Sequence, residues 1–362
     1  MQSLDEKEWA EFRIGDLFEV SRPTARNKDN YQAGGVPFVA SGSVNNGVMK
    51  LCAPLEDEPL DKGGCITVSP VDGSTFYQPM DFLGRGGAGS SILMLRSDKL
   101  DLYRGLFMSR AIQQTCSKYT YGHMGNKDSI KRERVMLPVD DAGEPDYEYM
   151  AEYTRQKREA MLDKYFEYAE ERVAELGDIV DIPALDEKEW KPFSIVGMFS
   201  SIVPGKGKGL NHLTKVHANG VNYIGATNRN NGVLCYIEEN DYSKPMVLDG
   251  NCIGFIKNGD GSAGFAIYKA ERFVSTSDVL YGYADWLNKY TGLFFVVAQD
   301  MIEKKYSHGY KRNKEHLAGD KIMLPVDDAG EPDYAYMEQY AKNMMLRKYR
   351  QYLAFLERDA EE

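Results

Sequence analysis

Met136-Leu137-Pro138-Val139-Asp140-Asp141-Ala142-Gly143-Glu144-Pro145-Asp146-Tyr147 occurs a second time, residue for residue, from Met323 to Tyr334. An identity of that length inside one chain marks a duplicated unit. Upstream, Leu4-Asp5-Glu6-Lys7-Glu8-Trp9 returns as Leu185-Asp186-Glu187-Lys188-Glu189-Trp190. The offset is 181 at that pair and 187 at the longer one, so the second copy has gained six residues. Val36–Ala40 against Val221–Gly225, and Asn45–Val48 against Asn230–Val233, both stand at 185, while Cys65-Ile66 meets Cys252-Ile253 at 187. These matches place about four of the six in the Gly- and Lys-rich stretch around Gly205–Gly220.

Downstream of the quoted stretch the chain changes character. From Tyr147 to Leu176 there is no Gly or Pro, and Met150, Tyr153, Met161, Tyr165, Tyr168, Val173 and Leu176 recur near helical spacing. Tyr334 to Leu356 repeats the pattern with Met337, Tyr340, Met344, Tyr349, Tyr352 and Leu356. Pro145 and Pro332 sit just ahead of the first turn, where proline is tolerated. Thirty helical residues make a rod of about 45 Å, whose apolar stripe needs a partner helix. The matching place in the other copy supplies one.

Before each rod the chain reads as short strands. Val36–Ala40, Cys65–Val68, Ile92–Leu95, Gly220–Ile224 and Cys252–Ile256 are apolar runs bounded by turn formers. Asn46-Gly47, Asn231-Gly232, Asp72-Gly73 and Asp260-Gly261 are hairpin dipeptides. Asp101–Cys116 and Trp286–Ile302 read as one helix per unit. The expected fold is α+β: two mixed, mostly β domains in pseudo-two-fold repeat, joined by two long antiparallel coiled-coil helices. The expected divisions are 1–142, 143–180, 181–329 and 330–362.

At 43% hydrophobic and 27% charged the composition is that of a folded protein. No apolar run of about 18 residues occurs and Met1–Lys7 lacks a signal-peptide pattern, so a cytoplasmic location is expected. Five scattered cysteines, Cys52, Cys65, Cys116, Cys235 and Cys252, form no Cys-x-x-Cys and read as reduced, buried small residues. The net charge of −11 argues against a polyanionic partner until it is located. Residues 144–181 carry 12 acidic and 5 basic side chains and residues 328–362 carry 8 and 5, which leaves the β-rich parts near neutral. Basic clusters then stand out: Arg22, Arg26 and Lys28; Lys127, Lys131, Arg132 and Arg134; Lys206, Lys208 and Lys215; Lys304, Lys305, Lys311, Arg312 and Lys314.

Catalytic and cofactor motifs fail on context. Gly84-Arg85-Gly86-Gly87-Ala88-Gly89 fits G-x-G-x-x-G, but a strand follows where a dinucleotide site needs a helix. Gly205–Gly209 lacks the Gly-Lys-Ser/Thr ending of a P-loop. Pro145-Asp146 starts a helix, and Asp186-Glu187-Lys188 lies at the opening of the next unit, so the two do not form a nuclease metal site. No Gly-x-Ser-x-Gly or Asn/Asp-Pro-Pro-Tyr occurs, and the five histidines pair with no nucleophile. A chain that catalyses nothing and binds no metal is expected.

The layout, with Trp9-x-x-Phe12-x-Ile14-x-x-Leu17-Phe18, Gly34-Gly35-Val36-Pro37-Phe38, Ser41-Gly42, Gly122 to Pro138, and Pro145-Asp146-Tyr147-x-Tyr149-Met150, resembles the specificity (S) subunit of type I restriction-modification systems or its type IIB equivalent. The resemblance covers nearly the whole chain. Copy two departs at its start, with Ile195, Met198 and Phe199 for Ile14, Leu17 and Phe18. The family implies a target-recognition domain in each copy, reading double-stranded DNA through the major groove, and helices that act as spacer and as docking surface for adenine methyltransferase subunits. Tyr153, Tyr165, Tyr340 and Tyr352 on the helices are then candidates for partner contact. S-adenosylmethionine would sit on those partners, and ATP and Mg on a restriction subunit, with no cofactor in this chain. Different copies imply an asymmetric target of two half-sites split by unread bases.

Candidate DNA contacts follow from loop position and side-chain type. In the first unit they are Arg22, Arg26, Lys28, Ser43, Asn45, Tyr121, His123, Asn126 and Lys127. In the second they are Lys206, Lys208, Asn228, Arg229, Asn230, His308, Tyr310, Lys311, Arg312 and Asn313. Asn45 and Asn230 have a competing role as hairpin-turn residues. A stand-alone two-headed DNA-binding regulator, or another non-catalytic binding module, is the alternative reading.

Overall fold

The computed structural model of the chain describes residues 2–87, 91–259, 261–307 and 309–361. It divides into two compact units, Met1–Tyr165 and Phe166–Glu362. The first contains strands β1 (Trp9–Arg13), β2 (Glu19–Ser21), β3 (Ala33–Val39), β4 (Val48–Cys52), β5 (Cys65–Val68), β6 (Thr75–Gln78), β7 (Leu83–Gly84), β8 (Leu93–Arg96) and β9 (Arg134–Pro138). Its helices are α1 (Ile14–Leu17), α2 (Leu102–Cys116), α3 (Lys127–Arg132) and the start of α4 (Tyr147–Leu176). The second holds β10 (Trp190–Ser194), β11 (Ser201–Pro204), β12 (Lys215–Val216), β13 (Val221–Ile224), β14 (Val233–Ile237), β15 (Cys252–Ile256), β16 (Ala266–Lys269), β17 (Phe273–Ser275), β18 (Val279–Tyr283) and β19 (Lys321–Pro325). Its helices are α5 (Lys289–Asp300), α6 (Lys314–Ala318) and α7 (Tyr334–Glu361).

The two units share one topology. An antiparallel sheet ordered β2-β8-β5-β6 corresponds to β11-β18-β15-β16, and the pair β1-β9 to β10-β19. A second sheet, β4-β3-β7, corresponds to β12-β14-β13-β17, with β3 parallel to β7 and β13 parallel to β17. Strand β12 has no counterpart and lies in the stretch where the repeat offset places the extra residues.

Side-chain alternation along the central strand explains the layering. Ile66 and Val68 of β5 face α2 and pack with Met108 and Ile112, while Cys65 faces Val39 and Phe82 of the second sheet side. In the second unit Ile253 and Phe255 face Phe295 of α5, and Cys252 and Ile256 face Phe273. Four cysteines are buried, Cys235 is half-buried, and all five are free thiols.

The near-identical segments meet in space. Lys7 pairs with Asp146 at 2.7 Å, and Lys188 with Asp333 at 2.8 Å. Trp9 Nε1 donates to Leu4 O at 3.0 Å, as Trp190 Nε1 does to Leu185 O at 2.8 Å. Tyr149 donates to Gln2 O and Tyr336 to Pro183 O. Each unit thus closes through the same joint, its opening strand locked to the first turn of its long helix.

In the second unit Tyr168 packs edge-on to Tyr349 and the main chain of Val180 bonds the Asn343 amide through both N–H and C=O. Just beyond α4, Arg350 also pairs with Asp178 at 3.3 Å, so α7 runs alongside the end of α4 and the segment that follows it. Helix α5 starts at Lys289 rather than Trp286, because Asn288 and Thr291 form a capping box there. Helices α3 and α6 were not expected, and their N-caps are Asn126 and Asn313. No helix among the described residues is long and apolar enough to cross a membrane.

A pair of length changes is hidden by the equal offsets. Gln78 opposes Cys65 where Lys269 opposes Cys252, so the offset rises from 187 to 191. It is 187 again where Leu95 and Gly282 oppose Ile66 and Ile253. The segment after β15 is longer than that after β5, and the glycine-bearing segment between β7 and β8 is longer than that between β17 and β18.

Candidate nucleic-acid interface

The segment after α2 is built as a rigid loop. Tyr119 is buried and donates to Glu133 Oε1 at 2.7 Å, with Lys118 on the other carboxylate oxygen at 2.5 Å. Burial and that hydrogen bond both push the Tyr119 phenol above its ordinary range. Paired main-chain bonds between Thr120 and His123 close a tight turn with Tyr121 and Gly122 at its tip. Tyr121 is 85% exposed, and the exposed His123 ring stacks on Tyr119. Gly125 N–H donates to Pro70 O at 2.8 Å, which ties the loop to the C-terminal end of β5.

The second unit repeats the frame with different contents. Tyr306 donates to both oxygens of Asp320 at 2.8 Å, Lys305 pairs with the same carboxylate, and Ser307 and Tyr310 close the turn. The exposed Tyr310 stacks on His316 and beside Tyr306, with centroids 4.2 and 5.7 Å away, and the three rings form one cluster. Arg312 N–H donates to Lys257 O at 3.0 Å, the counterpart of the Gly125 bond. Lys311 is exposed. His308 lies outside the described residues.

Other loops gather at the same end of each central sheet. Ser41 donates to Ser91 O, next to Leu93, which opposes Val68 at the end of β5. Thr24 O accepts from Gly86 N–H, and Arg85 N–H bonds Val39 O, bringing the exposed Arg22 and Ser43 loops alongside. A Cβ on Gly86 would stand 2.0 Å from Pro23 O, which accounts for this glycine without any cofactor. In the second unit Gly207 N–H donates to Ser275 O between the exposed Lys206 and Lys208, and Tyr223 donates to Lys208 O. Ser262 donates to Asn228 Oδ1 at 3.0 Å, linking the loop that bears the exposed Arg229 to the segment after β15.

Several candidates are recruited to structure. Arg26 is 8% exposed, and its guanidinium is engaged by Glu58 at 2.7 Å, Asp61 at 2.6 Å and the carbonyls of Gly84 and Pro59. Burial pushes the Glu58 carboxyl up, but the bonds from Arg26 and Tyr31 outweigh it and hold it below its ordinary range. Arg312 is 0% exposed and pairs with Asp320. These two arginines are therefore corrected from surface contacts to buried ion-pair residues. Asn45 and Asn230 take left-handed φ values of 51° and 48° and donate to Val48 O and Val233 O, which is the turn role. Asn126 and Asn313 spend their side chains as helix caps, Lys127 stays exposed, and Lys28 is half-buried.

A second surface lies between α5 and α7. Val297 and Met301 are 72% and 84% exposed and line an apolar groove with Met323, Tyr340, Met344 and Met345. Residues 187 positions earlier are Arg110, Gln114, Lys157 and Arg158 beside Met136 and Tyr153, so the equivalent face of the first unit is the more polar. Tyr340 packs edge-on to Phe294 and Tyr153 likewise to Phe107, so each fastens its helix to its own domain. Tyr165 and Tyr352 are partly exposed. Among the described residues no group of three or more His, Cys, Asp or Glu is placed to hold a metal.

A duplicated α+β frame that presents a loop cluster at one end of each central sheet is the architecture of a two-domain recognition protein. The model for the type I restriction modification DNA specificity domain matches residues 6–162 and again 187–352. The chain belongs to that family, the DNA specificity subunits of restriction-modification systems. It is 28% identical over 348 residues, 93% of this chain and 94% of the relative, to the type II restriction enzyme specificity subunit S.BcgI of Heyndrickxia coagulans. The solved S subunit of a type I restriction-modification system from M. genitalium aligns over 98% of this chain and 95% of its own, at 14% identity and a TM-score of 0.47. The HsdS subunit from Thermoanaerobacter tengcongensis aligns over 97% and 91%, at 14% and 0.31.

Proposed function

We propose that this chain is the non-catalytic DNA-reading subunit of a restriction-modification complex and recognises an asymmetric, bipartite target. Residues 1–142 read one half-site and 181–329 the other, while 143–180 and 330–362 space the heads and dock adenine methyltransferase subunits, two per chain. Those partners carry S-adenosylmethionine, and a restriction function, in the same or a further subunit, supplies cleavage. The observation that carries this reading is the pair of loop clusters on one duplicated frame. The turn closures Thr120/His123 and Ser307/Tyr310 coincide, while the side chains they display differ.

Exposed bearers of direct readout in the first unit are Arg22, Ser43, Tyr121 and His123, with Lys127 for phosphate. In the second they are Lys206, Lys208, Arg229 and Tyr310, with Asn228 through its free amide edge and Lys311 for phosphate. The open apolar groove beside α7 supports docking of a protein partner on the helices. The test is co-expression with the neighbouring methyltransferase gene, followed by sequencing of methylated bases in host DNA. A split motif whose methylation requires this chain is expected. DNA binding without any dependent methylation would instead identify a two-headed regulator.

A further inference from the structure

Arg312 occupies a place that the first unit fills with glycine. Main-chain N–H groups of Gly125 and Arg312 donate to Pro70 O and Lys257 O, and Glu133 and Asp320 hold Tyr119 and Tyr306, so the positions correspond. Two neighbours differ with it. Asp320 is shorter than Glu133, which leaves room for a guanidinium, and polar Gln299 stands where the first unit has Ile112. The Arg312 side chain enters that room. Its Nε donates to Asp320 at 2.9 Å, and Nη1 donates to Gln299 Oε1 at 2.5 Å and to Gly264 O at 3.0 Å. The rings of Phe255 and Tyr306 flank it at 5.1 and 5.4 Å.

A buried ion pair is a poor source of stability, because desolvation offsets the attraction. This one is incompletely satisfied as well, since Nη2 is buried without a hydrogen-bond partner among the described residues. The first unit folds on the same frame without it. What the pair does achieve is geometric. The main chain of Arg312 holds Lys257 and its guanidinium holds Gly264, the two ends of the segment that is longer than its counterpart Pro70–Gly73. Within that segment Ser262 grips Asn228. The guanidinium thus fixes Gly264, two residues from the Ser262 that holds the Asn228 loop, while the main chain of the same residue carries the Tyr310 turn at Lys257.

We propose that Arg312 is a positioning residue for the second half-site: it touches no base, and it sets the mutual placement of Asn228, Ser262 with Gly264, and Tyr310. The inference rests on the two-headed reading above. Its test uses the full chain with its methyltransferase partner and plasmids carrying single-base changes across both half-sites, with methylated fraction read by sequencing.

For Arg312→Met, discrimination against second-half-site mismatches is expected to fall by about tenfold, the scale of one mismatch penalty, with first-half-site discrimination unchanged. Arg312→Lys keeps the charge but lacks the fork that reaches Asp320 and Gly264 together, so a smaller loss confined to the same half-site is expected even if the methionine variant does not accumulate. Equal loss of methylation at every site, with the ranking of mismatches intact, would mean a merely structural role and overturn the proposal alone. A wild-type complex without any half-site discrimination would overturn the two-headed reading and this proposal with it.

Discussion

The joint and the reading end of each unit have diverged to opposite degrees. At the joint, Lys7–Asp146 and Lys188–Asp333 differ by 0.1 Å, and the same tryptophan and tyrosine bonds recur. At the reading end, Gly125 corresponds to Arg312 and Met124 to Lys311, and segment lengths differ in both directions. Identity is retained where a strand must meet a helix in one geometry. It is relaxed where loops stand on a frame that no longer depends on them. The contrast between the polar face at Arg110 and Lys157 and the apolar groove at Val297 and Met344 extends this to the flank, where the two copies present different chemistry to a partner.

The strongest challenge to that division is to exchange residues 181–327 for those of a related subunit. One half-site of the methylated motif should change completely and the other not at all; a change in both, read by methylome sequencing, would break the independence of the heads. Next in size is Arg26→Met, which strands Glu58 and Asp61 in a largely buried site. A loss of about 3 kcal/mol in urea unfolding is expected, against under about 0.5 kcal/mol for the neighbouring Lys28→Ala. If Arg26 were a DNA contact instead, stability would be untouched and binding would fall.

The joint itself offers a sharper comparison. Lys7→Met and Lys188→Met should each cost about 1 kcal/mol, and equally, because the two pairs are equally enclosed. Burial pushes Asp146 and Asp333 up, but the lysine and the main-chain N–H of Tyr149 or Tyr336 outweigh it, so both carboxyls lie below their ordinary range. Their contribution is present above the unfolded value of about 3.9 and is lost as pH falls through the lowered one. Urea midpoints between pH 7 and 3 should therefore decline less steeply in the two variants than in the parent. The smallest expected effect is in Lys127→Ala and Lys311→Ala. Each should weaken binding alike on specific and random DNA and lower the salt slope by about one. A change in sequence ranking by either would move that lysine from phosphate to base contact.

Much of the frame was legible in advance because it rests on local periodicity. Helix α4 spans Tyr147–Leu176 as its spacing predicts, and β5 and β15 coincide with the apolar runs Cys65–Val68 and Cys252–Ile256. Asn126 with Ser129 carries a capping signal that announces α3. The burial of Arg26 could not be seen locally, since its carboxylates lie 32 and 35 residues away. Arg312 is coded by Gln299, Asp320 and the carbonyl of Gly264, and the last belongs to a segment whose extra length is cancelled further on. Equal offsets at two anchor points therefore concealed the region in which the copies differ most.

The joint between Lys7 and Asp146, repeated at Lys188 and Asp333, makes each domain a closed clamp whose two chain ends are fastened at the side remote from its loops. A segment added at the far end therefore alters the outline of the head without transmitting strain to the rod. Such a clamp behaves as a cartridge holder: a head of different length or content set between the duplicated Leu-Asp-Glu-Lys-Glu-Trp and Met-Leu-Pro-Val-Asp-Asp segments is expected to close on the same latch.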